Sequence, residues 1–371
     1  MKVIIAAAGT AGHINPGIAI ANIIEKNYPI CEIRFIATGK KLEEDLISKA
    51  GYKSYAIDAY GFSKKPTISN IKKIIKTLKG FKQARAILEE FNPDIVIGTG
   101  GYICGAVISS AKKLGIPTLL HESNAYPGLA VRLLAKKANT ILVGLEAAKN
   151  SLKRANRVVY TGTPTKVKPL NLNDNEKNRI ISELSVNTTL PIVLVFGGSQ
   201  GAKKINDCII DIIKTGKNTN YQIVWSTGNE QYEIIKDELS KNNIDINNIK
   251  NVKIMPYIYN MAEVMSVSSL VVARSGALTL TELALLGKPA IFIPLPSNTA
   301  NRQEDNARVF EKNGAAKIIL NNEVTGDNLN NTINEIISDK NVLENMSLAS
   351  KGLAIYDVDD RILNEIKRLV G

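Results

Sequence analysis

The sequence predicts an α/β protein built from two doubly wound, parallel-sheet domains. Short continuous runs rich in Val and Ile alternate with amphipathic helical stretches along all 371 residues, the pattern of strands buried on both faces and joined by helical crossovers. Two of these strands end in glycine-rich turns that open helices, Gly9-Thr-Ala-Gly-His-Ile-Asn-Pro-Gly17 and Gly197-Gly-Ser-Gln-Gly201. Each looks like the first strand-to-helix turn of a doubly wound domain. The length suits two domains, each with its own core.

In chain order the strands are expected at Lys2–Ala7, Glu32–Ala37, Asp94–Ile97, Thr118–Leu120, Thr140–Val143 and Arg157–Tyr160. The second half adds Pro191–Phe196, Gln222–Trp225, Val252–Met255, Leu270–Ala273, Ala290–Ile293 and Ala316–Ile319. Thr161–Asp174, with Gly162, Pro164 and Pro169, is the linker candidate. The domains are set at 1–162 and 163–356, with the terminal stretch 357–371 packing back on the first. The ligand site is expected in the cleft between two such lobes.

Composition narrows the chemistry. Apolar residues make up 44% and charged residues 22%, a globular balance. Cys31, Cys104 and Cys208 are isolated and odd in number, which argues against a disulfide framework. With only His13 and His121 for histidines, zinc is poorly supplied. Met1-Lys2 runs straight into a strand, so no signal peptide is expected. No apolar run approaches the ~20 residues of a membrane span, which places the chain in the cytosol or on the cytosolic face of a membrane. Residues 1–170 carry 26 Lys and Arg against 11 Asp and Glu, while residues 171–371 carry 21 against 24. The basic first half should face an anionic partner.

The most informative stretch is 269–293. A strand stops at Arg274, Ser275 and Gly276 turn, and a helix follows. Its first turn exposes the N–H groups of Ala277, Leu278 and Thr279, an anion site with the helix dipole behind it. Gly276 lets a phosphate approach, and Glu282 could accept from vicinal ribose hydroxyls. The same residues also read as an ordinary turn, with Ser275 as helix cap and Glu282 as a solvated charge.

Gly197-Gly-Ser-Gln-Gly201 matches the nucleophile elbow of α/β-hydrolases. That chemistry needs a histidine after the serine, and both histidines precede Ser199. The loop reads instead as a phosphate or sugar contact, or as a structural turn. His13 sits in a glycine loop at a strand's carboxyl edge, where a general base is well placed, and a histidine titrates near neutral pH. Gly98-Thr-Gly-Gly-Tyr102 and His121-Glu-Ser-Asn124 read as further loops at that edge.

Residues 64–85 carry Lys64, Lys65, Lys72, Lys73, Lys76, Lys79, Lys82 and Arg85, over an apolar stripe of Ile68, Ile71, Ile75, Leu78 and Phe81. This reads as a basic amphipathic helix for an anionic membrane surface, or as a solvated basic face. No aromatic ladder accompanies it, so nucleic acid is not expected as a partner. Asp357-Val-Asp359-Asp360 reads as capping acids of the terminal helix, without a metal.

Together these motifs, in this order and almost from end to end, resemble the MurG family of transferases. The match also takes in Arg302-Gln-Glu-Asp-Asn-Ala307. The resemblance implies a GT-B fold, with two Rossmann-like domains facing across a cleft, and no metal or cofactor. It implies an inverting transfer of GlcNAc from UDP-GlcNAc to lipid I, making lipid II, by a peripheral enzyme on the cytoplasmic side of the cell membrane. A related transferase using another lipid, such as diacylglycerol, is the alternative.

By motif, Ala277, Leu278 and Thr279 would hold the α-phosphate, Glu282 the ribose, Ser199 the diphosphate and Ile258 the uracil through its backbone. Thr10, Ala11, Gly12 and Lys166 would also face the donor, and Asn124 and Gln303 the sugar hydroxyls. His13 would be the base, with Tyr102 and Glu122 on the acceptor side. The chain departs from the family at Ala11, where glycine is usual, at Ser123 for glutamine, and at Lys166 for arginine. Lysine keeps the charge but loses the planar fork.

Overall fold

The computed structural model describes residues 1–59, 68–186, 189–198, 200–246, 248–296 and 302–371, with 68–77 described by backbone alone. The chain divides into two compact units. One comprises Met1–Lys166 with Ile355–Gly371, and the other Val167–Ala354.

The first unit runs β1 (Lys2–Ala7), α1 (Ala11–Asn27), β2 (Glu32–Ala37), α2 (Lys41–Lys49), β3 (Lys53–Ala56), α3 (Ile68–Phe91), β4 (Ile95–Gly100), α4 (Ile103–Lys113), β5 (Thr118–Glu122), α5 (Leu129–Leu134), β6 (Thr140–Val143) and β7 (Val158–Tyr160). The second runs α6 (Asp174–Leu184), β8 (Ile192–Phe196), α7 (Lys203–Lys214), β9 (Gln222–Ser226), α8 (Asn229–Lys241), β10 (Val252–Met255), α9 (Met261–Val267), β11 (Leu270–Ala273), α10 (Ala277–Leu286), β12 (Ala290–Phe292), α11 (Arg302–Lys312), β13 (Ala316–Ile318), α12 (Gly326–Ile337) and α13 (Lys340–Gly352). The last helix, α14 (Val358–Val370), returns to the first unit.

Both sheets are parallel throughout, in the orders β3-β2-β1-β4-β5-β6-β7 and β10-β9-β8-β11-β12-β13. Each is the doubly wound order, with its reversal between β1 and β4 in one and β8 and β11 in the other. Ligands of such sheets bind beyond the carboxyl ends of the two strands at that reversal. The order therefore singles out the loops after β1, β4, β8 and β11.

Helices cover both faces of the first sheet. Ile4, Ala6, Val96 and Leu120 pack under α3 and α4, while Val3, Ile5, Ile95 and Leu119 pack under α1. Val358, Ile362, Leu363 and Ile366 of α14 join the second of these layers. The end of α14 is tied down by Glu365, whose carboxylate accepts from Arg157 at 2.7 Å and Arg368 at 2.9 Å. In the second unit Val193, Val195, Ile223, Trp225 and Val272 share one core with α7 and α12.

Several local expectations are corrected. The strand β3 carries no apolar run, because Lys53-Ser-Tyr-Ala56 lies at the sheet edge and is largely exposed. The segment Gly98–Gly100 is strand, not loop, and the β1–β4 register shifts between Ala6 and Ala7 to leave Thr99 bulged. His121 and Glu122 are also strand, and both are buried. His13 lies in the first turn of α1, not in a loop. On α3, Leu78 is 60% exposed, and the buried stripe is Ala84, Leu88 and Phe91. Lys64 and Lys65 lie outside the described residues, as do the side chains of Ile68, Ile71, Lys72, Lys73, Ile75 and Lys76. Asp357 holds the cap position of α14 without capping it by its side chain, which pairs with Arg361 at 2.8 Å.

Candidate active site

In the first unit the site is built around His13. Its Nδ1 lies 2.9 Å from the Ala8 carbonyl oxygen. A carbonyl can only accept, so the ring proton of the neutral imidazole sits on Nδ1 and the Nε2 lone pair is left for a ligand. The ring stacks over Gly100, where a Cβ would fall 2.4 Å from His13 Cδ2. The neighbouring Gly101 lies against the Ala8 carbonyl, 2.6 Å from where its own Cβ would be. The bulge at Thr99 turns its hydroxyl to donate to the His13 carbonyl at 2.7 Å. Thr10 and Gly12 are exposed beside the ring and Ala11 is half-buried, at the start of α1. Tyr102, 64% exposed, opens α4 from the β4 side.

The second histidine is different. His121 is buried, its Nε2 donates to the Gly162 carbonyl at 3.2 Å, and its Nδ1 accepts from Ser123 Oγ at 3.4 Å. Burial lowers its pKa. Both ring nitrogens are occupied, so His121 is structural, and Ser123 supplies the donor that its position requires. Glu122 spans its own loop. Oε1 accepts from Asn124 N at 2.9 Å and Nδ2 at 2.8 Å, while Oε2 accepts from Gly128 N at 2.6 Å. Lys166 is exposed at the end of the unit.

In the second unit the turn after β11 leads directly into α10. Gly276 takes the cap position with φ −64° and ψ 142°, and no side chain caps the helix. Ser275 does not serve as the cap. It is fully buried, donating through Oγ to the Gln303 carbonyl at 2.7 Å, while its own carbonyl accepts from Asn306 Nδ2 at 3.1 Å. Gln303 is thereby held beside the turn, with its Oε1 accepting from Leu295 N at 3.0 Å. Arg274 organises the same region, since its NH1 donates to the carbonyls of Ile293 and Pro294 and to Asn321 Oδ1. Burial lowers the Arg274 pKa.

Gly276 is informative because the fold does not demand it. Its φ suits any residue, and among the described residues an added Cβ would meet only Thr279 Oγ1, at 3.8 Å. No side chain caps the N–H groups of Ala277, Leu278 and Thr279 in the first turn of α10, the arrangement that suits an anion. Glu282 is half-buried in the second turn of α10, about 7 Å along the axis from Ala277.

The glycine loop after β8 carries less ligand information. Gly197 is pressed against Ala202 and Gly201 against the Thr227 carbonyl, so backbone packing alone demands both. Ser199 lies outside the described residues. Ile258 is buried between Tyr257 and the exposed Tyr259, in the loop between β10 and α9. Lys288, just beyond α10, donates to the Ser266 carbonyl at 2.7 Å and the Ser268 carbonyl at 3.0 Å, and burial brings its pKa down to about 8.

Two features of these sites have no local sequence signal. Glu43, fully buried on α2, accepts from Gly9 N at 2.8 Å and Thr38 N at 2.7 Å. Arg274 reads in the sequence only as a strand end. A metal centre has no counterpart among the described residues, where no three metal-binding side chains cluster.

Two doubly wound parallel-sheet units in one chain are the architecture of the GT-B class, and the uncapped first turn of α10 suits an anionic ligand. The glycosyltransferase family 28 N-terminal domain matches residues 3–143 and the family 28 C-terminal domain residues 192–362. The UDP-N-acetylglucosamine–N-acetylmuramyl-(pentapeptide) pyrophosphoryl-undecaprenol N-acetylglucosamine transferase of Acetivibrio thermocellus is 37% identical, over 100% of this chain and 98% of its own. The protein of the same description from Ruminiclostridium cellulolyticum is 38% identical over all of both chains. The crystal structure of Acinetobacter baumannii MurG superposes with a TM-score of 0.78, at 26% identity over 99% of each chain. The chain belongs to glycosyltransferase family 28, within its MurG branch, and has the GT-B fold.

Proposed function

We infer that the protein transfers N-acetylglucosamine from UDP-GlcNAc to the 4-hydroxyl of the MurNAc sugar in lipid I, producing lipid II and UDP. The full-length relatives carry this activity in their descriptions. The observation that carries the reading to this chain is the start of α10 behind Gly276, which no side chain caps and where, among the described residues, a Cβ would meet only Thr279 Oγ1.

In this reading the second unit binds the donor. Ala277, Leu278 and Thr279 hold the α-phosphate, Glu282 the ribose hydroxyls, the Ile258 backbone the uracil, and Gln303 the sugar. The acceptor oxygen attacks the anomeric carbon as the bond from that carbon to the UDP oxygen breaks, which inverts the centre. The acceptor's proton passes to His13 Nε2. Negative charge growing on UDP meets the positive end of α10, in electrostatic catalysis that is set before the reaction starts.

The first unit receives the acceptor. The excess of Lys and Arg in residues 1–170 and the exposed Leu78, Lys79 and Lys82 of α3 support its placement on an anionic leaflet. None of the described helices is long and apolar enough to cross a membrane. The test is turnover of UDP-GlcNAc with a short-chain lipid I analogue, with diacylglycerol as the competing acceptor. Lipid II and stoichiometric UDP are expected. Failure to release UDP with the lipid I analogue, or turnover with diacylglycerol alone, overturns the assignment. Sedimentation with vesicles containing anionic lipid, and its loss in high salt, tests the membrane placement.

A further inference from the structure

We propose that Glu43 is a positioning residue for His13, acting through the single peptide group that joins Ala8 to Gly9. The N–H of Gly9 donates to Glu43 Oε1 at 2.8 Å, and the carbonyl of Ala8 accepts from His13 Nδ1 at 2.9 Å. That N–H and that carbonyl are the two ends of one planar, conjugated unit. A negative charge at the N–H end enriches the oxygen at the other, so the two hydrogen bonds strengthen each other. The arrangement does the work of a carboxylate bonded directly to an imidazole, which holds the ring and its tautomer, with one peptide interposed.

Three features show that the peptide is held deliberately. Gly9 has φ +101°, so a side chain there would be strained and the peptide would not keep this orientation. Glu43 is fully buried on α2 with no ion-pair partner among the described residues. Its donors are all neutral groups, Gly9 N, Thr38 N at 2.7 Å, and Thr38 Oγ1 at 2.8 Å to both carboxylate oxygens. A carboxylate satisfies every one of them. A carboxamide would turn an NH2 toward Thr38 or Gly9, where only an acceptor fits.

On the other side of the ring, Gly100 leaves just enough room for it. A free neutral histidine side chain favours its proton on Nε2, so the opposite tautomer has to be imposed by the protein. The Glu43–peptide–His13 chain imposes it and keeps the Nε2 lone pair available. The catalytic consequence rests on His13 being the proton acceptor; the tautomer itself does not.

The experiment uses the full chain labelled with 15N-histidine, read by long-range 1H–15N correlation in the neutral state of His13. Only two histidines are present, and loss of one signal set in His13→Asn assigns the other. Wild-type His13 should carry its proton on Nδ1. In Glu43→Gln it should shift to the Nε2-protonated form or a mixture, while Thr38→Val, which leaves the carboxylate on Gly9, should not change it. With lipid I analogue, Glu43→Gln should lower kcat at least tenfold with KM for UDP-GlcNAc unchanged. A wild-type His13 protonated on Nε2 overturns the proposal without any variant. So does an unchanged Nδ1 signal in Glu43→Gln or, if that variant does not fold, in Glu43→Asp. A shifted tautomer with unchanged kcat upholds the positioning role and overturns the reading of His13 as the base.

Discussion

Gly100→Ala perturbs the His13 ring directly, since the three atoms nearest its new Cβ all belong to that imidazole. The new Cβ would lie 2.4 Å from Cδ2, 2.8 Å from Cγ and 2.9 Å from Nε2 of the imidazole. Carbon atoms pack at about 3.5 Å, so the ring must retreat by about 1 Å. Retreat strains the 2.9 Å bond from Nδ1 to the Ala8 carbonyl. Gly100 also has φ +130°, and a side chain there costs about 1–3 kcal/mol. A reacting group displaced by 1 Å costs about 100-fold in rate, so kcat should fall about 100-fold. The dissociation constant for UDP-GlcNAc should not change. The assay is UDP release with a short-chain lipid I analogue at saturating donor, beside calorimetric titration of UDP-GlcNAc and a thermal melt. Gly105→Ala in α4 is the control. Among the described residues, no atom outside its own helix backbone and chain neighbours lies within 4 Å of its would-be Cβ, so it should keep full activity and gain about 0.5–1 kcal/mol of stability. A folded Gly100→Ala enzyme with kcat within about twofold of wild type would refute the geometric reasoning for His13.

Gly276→Ala should separate ligand from fold. Stability should stay within about 0.5 kcal/mol of wild type, while affinity for UDP, measured by calorimetry, should fall about tenfold; unchanged affinity removes the anion site from the start of α10. Glu282→Ala should weaken UDP-GlcNAc binding by about 10- to 100-fold, the worth of a charged pair of hydrogen bonds. A donor lacking the ribose hydroxyls should bind wild type and variant alike, and any remaining difference would exclude the ribose contact. Lys288 predicts a pH effect on stability. In the folded chain it loses its proton near 8, and in the unfolded chain only at the ordinary lysine value. Between those values the unfolded state holds more protons, so stability rises with pH through that window. Below the window the buried charge costs roughly 3 kcal/mol. Denaturant unfolding should therefore show wild type gaining on Lys288→Met by up to that amount between about pH 7 and pH 10, and a flat difference across that range contradicts it.

The architecture was legible because its signals are local. Continuous apolar runs such as Ile192–Phe196 mark strands covered on both faces, and the glycine turns after β1 and β8 mark the first strand-to-helix turn of each sheet. The turn from Arg274 to Thr279 was legible for the same reason, as a strand, a glycine and the first turn of a helix follow one another along the chain. Among the described residues only β3 escaped, because an exposed edge strand such as Lys53–Ala56 has no apolar run.

What the tertiary structure decided depends on residues far apart in the chain. Glu43 reaches Gly9 across 34 positions and Thr99 reaches His13 across 86, and no periodicity encodes either bond. The two histidines look alike in the sequence; one is locked on both nitrogens by Gly162 and Ser123, and the other has one nitrogen left over. The glycines look alike too. Gly197 and Gly201 are held by backbone pressed against them and Gly100 by an imidazole, while among the described residues a Cβ on Gly276 would meet only Thr279 Oγ1 at 3.8 Å. Sequence pattern determined which elements form and where each turn falls, because propensity and burial act over a few residues. Which of those turns is locked by its neighbours and which is left with an uncommitted polar group was decided by packing, because a hydrogen bond or a clash depends on atoms that only the folded chain brings together.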